Sequence, residues 1–282
     1  MIKTIKNFLM HYTWDLAYGI YDDTQGRFVD WSTVHYIKNP YKTKWFADPF
    51  ILEEKEEFLC LLVEEFDSKV RKGRIAEIVV DKRTDKIIDC HIVLELDTHL
   101  SFPAIYRYDD KIYVLPENSR SGHCNIYIYD SEERVLKDPY MMIDEPLTDA
   151  IISENSGKYE MYSTSIPNPN GNILYKYQSE SFLGPYSRDG YIQFDSNIAR
   201  MAGEFIKIGN DYIRPAQDCN ESYGKAVLLL KGKDIIQTIV PNKKKYAGIH
   251  TFNVNDKTFV IDLKKYDYPF IYYLRNLFKK FI

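Results

Sequence analysis

Residues 46–52 read Phe-Ala-Asp-Pro-Phe-Ile-Leu, and the polar turn Glu-Glu-Lys-Glu-Glu at 53–57 separates them from a second apolar stretch. The same unit occurs five times along the chain: an apolar strand that begins at a polar or small residue, a tight polar turn, and another strand. The aligned positions are Asp48, Pro103, Asp149, Gly203 and Ile249, at steps of 55, 46, 54 and 46 residues. An all-strand repeat of this length is typical of β-propeller blades.

The outer parts of the blades follow the same repeat. A third strand is predicted at 73–80, 124–129, 172–177 and 225–230, and a fourth at 87–94, 135–143 and 191–194. The fifth repeat leaves no room for outer strands, because the chain changes character after Asp262. We predict that segments 14–21 and 28–37 complete that blade, since closure by both termini removes exposed sheet edges.

The predicted fold is therefore all-β: a five-bladed β-propeller of four-stranded blades over residues 14–263. Residues 1–13 form an N-terminal extension, and 264–282 form a basic amphipathic C-terminal tail, in which 268–282 is predicted to be helical. A β-sandwich with an accidental period is the alternative. The tail places Phe270, Leu274 and Phe281 on one stripe, with Arg275 and Lys279 beside it. Segment 268–282 could thus lie on a membrane surface or dock on protein.

Bulk composition narrows the class of protein. A 282-residue chain with 45% hydrophobic and 28% charged residues suits a folded domain with a sizeable core. The net charge of −4 argues against a nucleic-acid-binding protein. Four scattered cysteines without a Cys-x-x-Cys motif, and an N-terminus without a signal-peptide pattern, predict a cytoplasmic protein, peripheral to the inner face of the membrane if the tail binds there.

The propeller predicts where chemistry-bearing residues gather, because its inner strands line a common axis. The starts of inner strands offer Asp48 and Asp149, which we predict to be the catalytic pair, since crowded carboxylates suit acid–base work. Each of these acids could instead cap a strand end. Predicted substrate-binding residues are Ser101, Glu117, Asn118, Arg200, Glu204, Arg214, Gln217, Asp218 and His250. No metal site and no cofactor is predicted.

Five motifs carry a resemblance to a known family. They are Phe46-Ala-Asp-Pro-Phe, Leu100-Ser-Phe-Pro with Leu115-Pro-Glu, Asn197-x-x-Arg-Met-Ala-Gly, Arg214-x-x-Gln-Asp-Cys-x-x-x-Tyr-Gly, and Gly248-x-His-Thr-Phe-Asn. They resemble the N-terminal propeller domain of plant glucosamine inositolphosphorylceramide transferases, which also occurs alone in bacteria. A remoter resemblance to five-bladed glycosidases implies that Asp48 matches their base and Asp149 their second acid, with Glu204 near a third.

The resemblance implies work on carbohydrate, and three functions stay open. The first is a glycosyltransferase of bacterial surface polysaccharide (capsule or lipopolysaccharide) biosynthesis, using a nucleotide-sugar donor and a lipid-linked or glycan acceptor at the membrane surface. The second is a glycoside hydrolase of the five-bladed type. The third is a non-catalytic carbohydrate-binding or scaffold propeller. The sequence does not name the sugars, the linkage or the oligomeric state.

Overall fold

The computed structural model describes residues 11–22, 28–155 and 157–268. These residues form five four-stranded antiparallel sheets arranged in a ring, so the five-bladed prediction is confirmed. The strands are β1 Tyr12–Ile20, β2 His35–Tyr36, β3 Lys44–Glu54, β4 Phe58–Asp67, β5 Gly73–Asp81, β6 Lys86–Leu94, β7 Ser101–Tyr108, β8 Lys111–Glu117, β9 Cys124–Asp130, β10 Val135–Ile143, β11 Leu147–Asn155, β12 Lys158–Ser165, β13 Ile173–Ser179, β14 Ser187–Gln193, β15 Ile206–Ile208, β16 Asp211–Asp218, β17 Ala226–Lys231, β18 Asp234–Ile239, β19 Phe252–Asn255 and β20 Thr258–Tyr266. Short 3₁₀ turns lie at Trp31–Thr33 and Ser119–Ser121.

Blades 1 to 4 each use four consecutive strands, starting at β3, β7, β11 and β15. Blade 5 has the order β19-β20-β1-β2, so the N-terminal strands close the ring as predicted. Strands β1 and β20 pair without interruption from Tyr12 opposite Tyr266 to Ile20 opposite Thr258. The outermost strand β2 contains only two residues, and the 3₁₀ turn before it is capped by Asp30, whose Oδ1 accepts from the Ser32 amide.

The core lies between neighbouring blades. In β4, Leu59, Leu61, Leu62 and Val63 are all fully buried, because both faces of this strand pack against other blades. Outer strands are exposed to solvent over much of their length instead, as β10 shows with five exposed residues in succession. This difference explains why the apolar runs of inner strands are continuous while the outer strands are weaker in sequence.

A repeated bulge shapes the inner strands near the axis. Asp48, Phe102 and Asp149 have φ values of 50°, 46° and 50°. At each of them, the pairing with the second strand skips residues. A left-handed conformation costs a residue with a side chain about 1–2 kcal/mol, and a bulge re-aims that side chain. The repeat position in blade 2 is therefore Phe102, one residue before the aligned Pro103.

In blade 4, the aligned position near the axis is a glycine. Gly203 has a φ of 157°, and a Cβ there would lie 2.1 Å from the carbonyl oxygen of Phe252 in blade 5. The amide of Phe252 donates to the Ala202 oxygen at 2.7 Å, so the two blades touch through their backbones at this point. The described residues contain no helix that is long and apolar enough to cross a membrane. The predicted C-terminal helix lies outside the described residues, apart from its first position.

Candidate functional site

A pocket of about 480 Å³ opens at the end of the propeller where inner strands begin and second strands end. We call this the pocket end. Blades 1 and 5 supply most of its walls. It is lined by His11, Tyr12, Trp14, Trp45, Glu64, Phe66, His99, Tyr223 and His250.

Aromatic rings form the walls. Trp45 and Phe66 are paired across β3 and β4 and stack with centroids 4.8 Å apart at an interplanar angle of 7°. Trp14 lies over the His250 ring, with centroids 4.0 Å apart. Both tryptophans contribute flat apolar surface, and such surfaces with a few convergent polar groups are typical of small-molecule sites. The apolar C–H face of a sugar ring matches them.

Lys264 organises one of these walls. Its side chain is buried, and Nζ lies 4.2 Å from the ring centroid of Tyr12 and 5.8 Å from those of Trp14 and Tyr223. Nζ also donates to the Tyr223 carbonyl oxygen at 2.7 Å. Burial lowers the pKa of Lys264 to about 8. A cation among aromatic faces holds them together through cation–π attraction.

Glu64 is the carboxylate of the pocket lining, and His99 holds it. His99 Nε2 lies 3.1 Å from Glu64 Oε1, while His99 Nδ1 accepts from the Gly73 amide at 2.9 Å. The Gly73 amide donates to Nδ1, so the Nε2 side of the ring faces the carboxylate at ion-pair distance. Gly73 permits the packing because a Cβ there would lie 2.3 Å from the Leu100 carbonyl oxygen.

His250 forms the floor and connects two buried carboxylates. Its Nδ1 lies 2.6 Å from Asp262 Oδ2, and its Nε2 lies 3.2 Å from Asp48 Oδ1. Burial disfavours the imidazolium, but Asp262 and Asp48 outweigh that effect and raise the pKa of His250 to about 9. Asp262 also accepts from the backbone amides of Asp48, His250 and Thr251.

Asp48 lies beneath the floor and is 3% exposed. Its carboxylate accepts from Thr251 Oγ1 at 2.6 Å and from the Phe102 amide at 3.1 Å. Burial raises the pKa of Asp48 to about 7, although the nearby His250 opposes that rise. The donor atoms of Asp48, His250 and Asp262 lie within 4.8 Å of one another, as metal ligands would. Both imidazole nitrogens are engaged by carboxylates, so the group is best described as a proton-sharing network.

Asp149 occupies the equivalent bulge in blade 3 and has different partners. Arg200 donates from Nε and Nη2 to its two carboxylate oxygens at 2.6 and 3.1 Å. Gln217 Nε2 adds a third hydrogen bond at 2.7 Å. The guanidinium of Arg200 also lies 5.2 Å from the Tyr223 ring centroid, so this ion pair supports the pocket wall from behind.

The family model for the N-terminal domain of glucosamine inositolphosphorylceramide transferase 1 matches residues 32–255. The chain belongs to this family. The glucosamine inositolphosphorylceramide transferases 1 of Oryza sativa subsp. indica and Arabidopsis thaliana are each 26% identical to it, over 208 and 200 residues. Those alignments cover 68% and 67% of this chain, which spans about a quarter (26%) of the relatives' length.

Solved glycosidase propellers share the fold. The catalytic domain of the GH62 α-L-arabinofuranosidase of Coprinopsis cinerea superposes with a TM-score of 0.55 at 9% identity, covering 77% of this chain and 90% of that one. The α-L-arabinofuranosidase of Podospora anserina in complex with cellotriose gives 0.53 at 10% identity, covering 75% and 73%. At these identities the likeness concerns the fold alone.

In this family member, the predicted residues differ in how they are placed relative to the pocket. His250 lines the pocket, whereas Asp48, Asp149, Arg200 and Gln217 lie directly behind it. Their assignment as catalytic and substrate-binding residues stays a prediction. In blade 2, at the same end of the propeller, Ser101 Oγ donates to Glu117 Oε2 at 3.1 Å, and Glu117 lies 3.9 Å from Arg200. Asn118 is buried next to them, while Asp218 Oδ1 accepts from Asn220 in a local turn.

Two predicted residues lie away from the pocket. Arg214 is buried, donates to the carbonyl oxygens of Ala199 and Ile198 at 3.0 Å, and stacks on Phe194. Glu204 lines a separate cavity of about 60 Å³ with Arg107 and Asn253. Burial raises the pKa of Glu204 to about 7. Its neighbours in that cavity come from the far halves of the inner strands, so Glu204 faces away from the pocket.

Sequence reasoning missed much of the pocket lining. His99 precedes an inner strand and lies outside the aligned positions of the repeat. Asp262, which contacts His250 beneath the floor, lies within an ordinary second strand of the sequence. Trp14, Trp45 and Phe66 resemble ordinary strand aromatics. The sequence does indicate part of this wall, because Trp45 and Phe66 flank the same strand ends as Asp48 and Glu64.

Proposed function

We propose that this protein takes part in glycosyl transfer and that its aromatic pocket binds a sugar unit of the acceptor. Membership of a transferase-associated family supports a role with carbohydrate. One observation supports sugar binding in this pocket most directly: the carboxylate of Glu64 lies between aromatic walls and is held in place by His99. The pocket lining combines this carboxylate with aromatic faces, which favours an uncharged sugar over a phosphate group.

The chemistry assigned to Glu64 is proton acceptance. His99 lies 3.1 Å from one carboxylate oxygen and fixes the position of Glu64, so the carboxylate can receive a hydroxyl proton from a sugar stacked on Trp45. In transfer, the oxygen of that hydroxyl forms the new bond to the donor's anomeric carbon while the bond from that carbon to the nucleotide's phosphate oxygen breaks. The nucleotide leaves with the bonding electrons, and the hydroxyl proton moves to Glu64. General-base catalysis of this type contributes about a hundredfold to ten-thousandfold in rate.

In this proposal, Asp48 and Asp149 are positioning residues. Their carboxylate oxygens are already occupied by Thr251, Phe102 and His250 on one side, and by Arg200 and Gln217 on the other. Neither residue belongs to the pocket lining. Each therefore maintains the floor or the back wall on which the sugar lies.

Glycoside hydrolysis is the second candidate, and one observation favours it. The pKa of Asp48 is raised to about 7, which is the range of a carboxylic acid that donates a proton at neutral pH. A hydrolase would have to expose Asp48 when substrate binds, because it is buried beneath His250. Transfer from a nucleotide sugar to a lipid-linked acceptor of bacterial surface polysaccharide is the finer form of the first candidate.

The test compares wild type with Glu64→Gln, Trp45→Ala and, as a matched control, Asp144→Asn. The control removes an exposed carboxylate from the same end of the propeller. Glycan arrays and calorimetry measure sugar binding, and mass spectrometry follows transfer from nucleotide sugars to oligosaccharide acceptors. We expect Glu64→Gln to retain binding and lose about a hundredfold or more in transfer, Trp45→Ala to lose binding, and the control to match wild type.

Other outcomes separate the candidates. Release of free sugar without transfer would favour hydrolysis. Sugar binding by a wild type that lacks any turnover would favour the scaffold alternative. A wild type that binds no glycan in either assay would remove the pocket assignment altogether.

A further inference from the structure

The connections at the pocket end are electrically polarised. Residues 39–43 join blades 5 and 1, 68–72 join β4 and β5, and 240–251 join blades 4 and 5. These three connections contain no Asp or Glu. They contain seven cations, which we call the basic rim: Lys42, Lys69, Arg71, Lys72, Lys243, Lys244 and Lys245.

The opposite side of the same end has the reverse charge. The connections at 95–100 and 144–146, which enter blades 2 and 3, carry Glu95, Asp97, Asp144 and Glu145, with no Lys or Arg. Because the net charge of the chain is −4, the basic rim is a local departure from the overall balance. Such an asymmetry orients a protein toward an anionic partner.

The basic rim is presented by ordered structure. Tyr36 and Tyr246 stack at 5.9 Å, and the Nζ atoms of Lys243 and Lys245 lie 3.3 and 4.6 Å from the centroids of Tyr36 and Tyr246. Tyr36 also donates its hydroxyl to Asn242 at 2.7 Å. All rim residues except the half-buried Lys72, which pairs with Glu95, are exposed.

The two blade 1 connections are joined through their backbones. The Ser68 amide donates to the Thr43 oxygen at 2.8 Å, directly above the strand ends that carry Trp45 and Phe66. Rim and pocket therefore belong to the same end of the propeller. A surface that the rim contacts would lie beside the pocket opening.

We propose that the basic rim docks this protein on the anionic phospholipid headgroups of a membrane surface. Apolar groups accompany the cations, since Val70 in the rim is 37% exposed and Tyr268 at the same end is 38% exposed. The first and last described residues also lie at this end, where the Asp267 amide donates to the His11 oxygen at 3.1 Å.

The sequences that continue from these two ends have a matching composition. Residues 1–10 and 269–282 include Lys3, Lys6, Arg275, Lys279 and Lys280 and no acidic residue, and the remainder is mostly apolar. Basic residues interleaved with apolar ones are what an anionic lipid interface attracts, whereas a soluble polyanion needs only the charge. The basic rim and the composition of these two sequences together favour lipid as the partner.

The experiment measures co-sedimentation of the full-length protein with vesicles of phosphatidylcholine alone and of phosphatidylcholine mixed with phosphatidylglycerol. The rim variant is Lys243→Gln, Lys244→Gln and Lys245→Gln combined. The matched control removes three exposed cations from hairpin tips at the opposite end, Lys111→Gln, Lys233→Gln and Lys257→Gln. A second rim variant, Lys42→Gln with Lys69→Gln and Arg71→Gln, guards against misfolding of the first.

Wild type and control should bind the anionic vesicles, and each rim variant should lose roughly a hundredfold in partitioning, since each cation near such a surface contributes a several-fold increase. The proposal is overturned if wild type ignores the vesicles, if both rim variants bind like wild type, or if a soluble polyanion such as polyphosphate binds as tightly as vesicles do. Sugar binding by the rim variants should stay unchanged, which keeps this result separate from the function of the pocket.

Discussion

Asp48 and Asp149 occupy the same position in blades 1 and 3, with the same φ of 50° and the same bulge in the pairing. The charged partner of each carboxylate is different. Asp149 faces the permanently charged Arg200, while Asp48 faces His250, which can gain or lose a proton. One backbone device thus supports a fixed ion pair on one side of the axis and a proton-sharing network on the other.

The difference teaches that a repeat fixes geometry but not chemistry. Blade-to-blade equivalence dictates where a carboxylate lies, and the adjoining blade supplies the partner that sets its charge. The titratable network lies directly under the pocket through His250, whereas the fixed pair supports Tyr223 from behind. The predictions below test whether the two sides are as distinct as their partners imply.

The largest effect is expected for Asp149→Asn. The substitution leaves the buried Arg200 without its principal counter-charge, which typically costs about 3–5 kcal/mol in the free energy of unfolding. Urea unfolding at neutral pH measures it. Asp48→Asn is the matched comparison and should cost less, about 1–3 kcal/mol, because an amide oxygen can still accept from Thr251. Equal losses at the two positions would contradict the contrast.

The second prediction concerns pH dependence on the His250 side. The pKa of His250 rises from 6.5 to about 9 in the folded state, so the folded protein retains a proton that the unfolded chain releases. The stabilisation is complete below pH 6.5 and is lost as pH rises through 9. Between pH 6.5 and 8, the His250 contribution to the free energy of unfolding should fall by up to about 2 kcal/mol. Lys264, whose pKa is lowered to about 8, opposes this fall only toward the upper end of the window.

Urea unfolding at the two pH values checks this slope in wild type and in His250→Gln, which should reduce it. Glu204, whose pKa is raised to about 7, contributes a part that the substitution leaves in place. Asp48 contributes in the same direction, because its pKa is also raised, to about 7. An Arg214→Met variant serves as control, since it removes a buried cation away from the network and should leave the slope unchanged. A slope that His250→Gln leaves as steep as in wild type would place the titrating group elsewhere.

The smallest effect is expected for Lys264→Met on the aromatic wall between the two sides. Losing cation–π contacts with Tyr12, Trp14 and Tyr223 should weaken sugar binding by about fivefold to thirtyfold, at roughly 1–2 kcal/mol for a desolvated cation. Calorimetric titration with a bound glycan measures it. Lys265→Met, on the exposed neighbour, is the control, and a variant that binds as tightly as wild type would remove Lys264 from the pocket's support.

Much of this protein followed from its sequence. The repeat predicts five blades, the missing outer strands of the fifth repeat predict closure by β1 and β2, and the motif around Gln217 and Tyr223 identifies the family. These inferences succeed because strand periodicity and turn residues are local properties. The placement of Asp48 at an inner strand start followed from the same alignment.

Only the tertiary structure decided which residues form the pocket. The positive φ at Asp48 and Asp149 turns their carboxylates into the interior, where His250 and Arg200 cover them, and this leaves Glu64 and His99 on the surface of the site. His99, Asp262 and Trp14 come from three different strands or connections, separated by scores of residues. Their meeting depends on the angle and spacing of the closed blades, which no local pattern encodes.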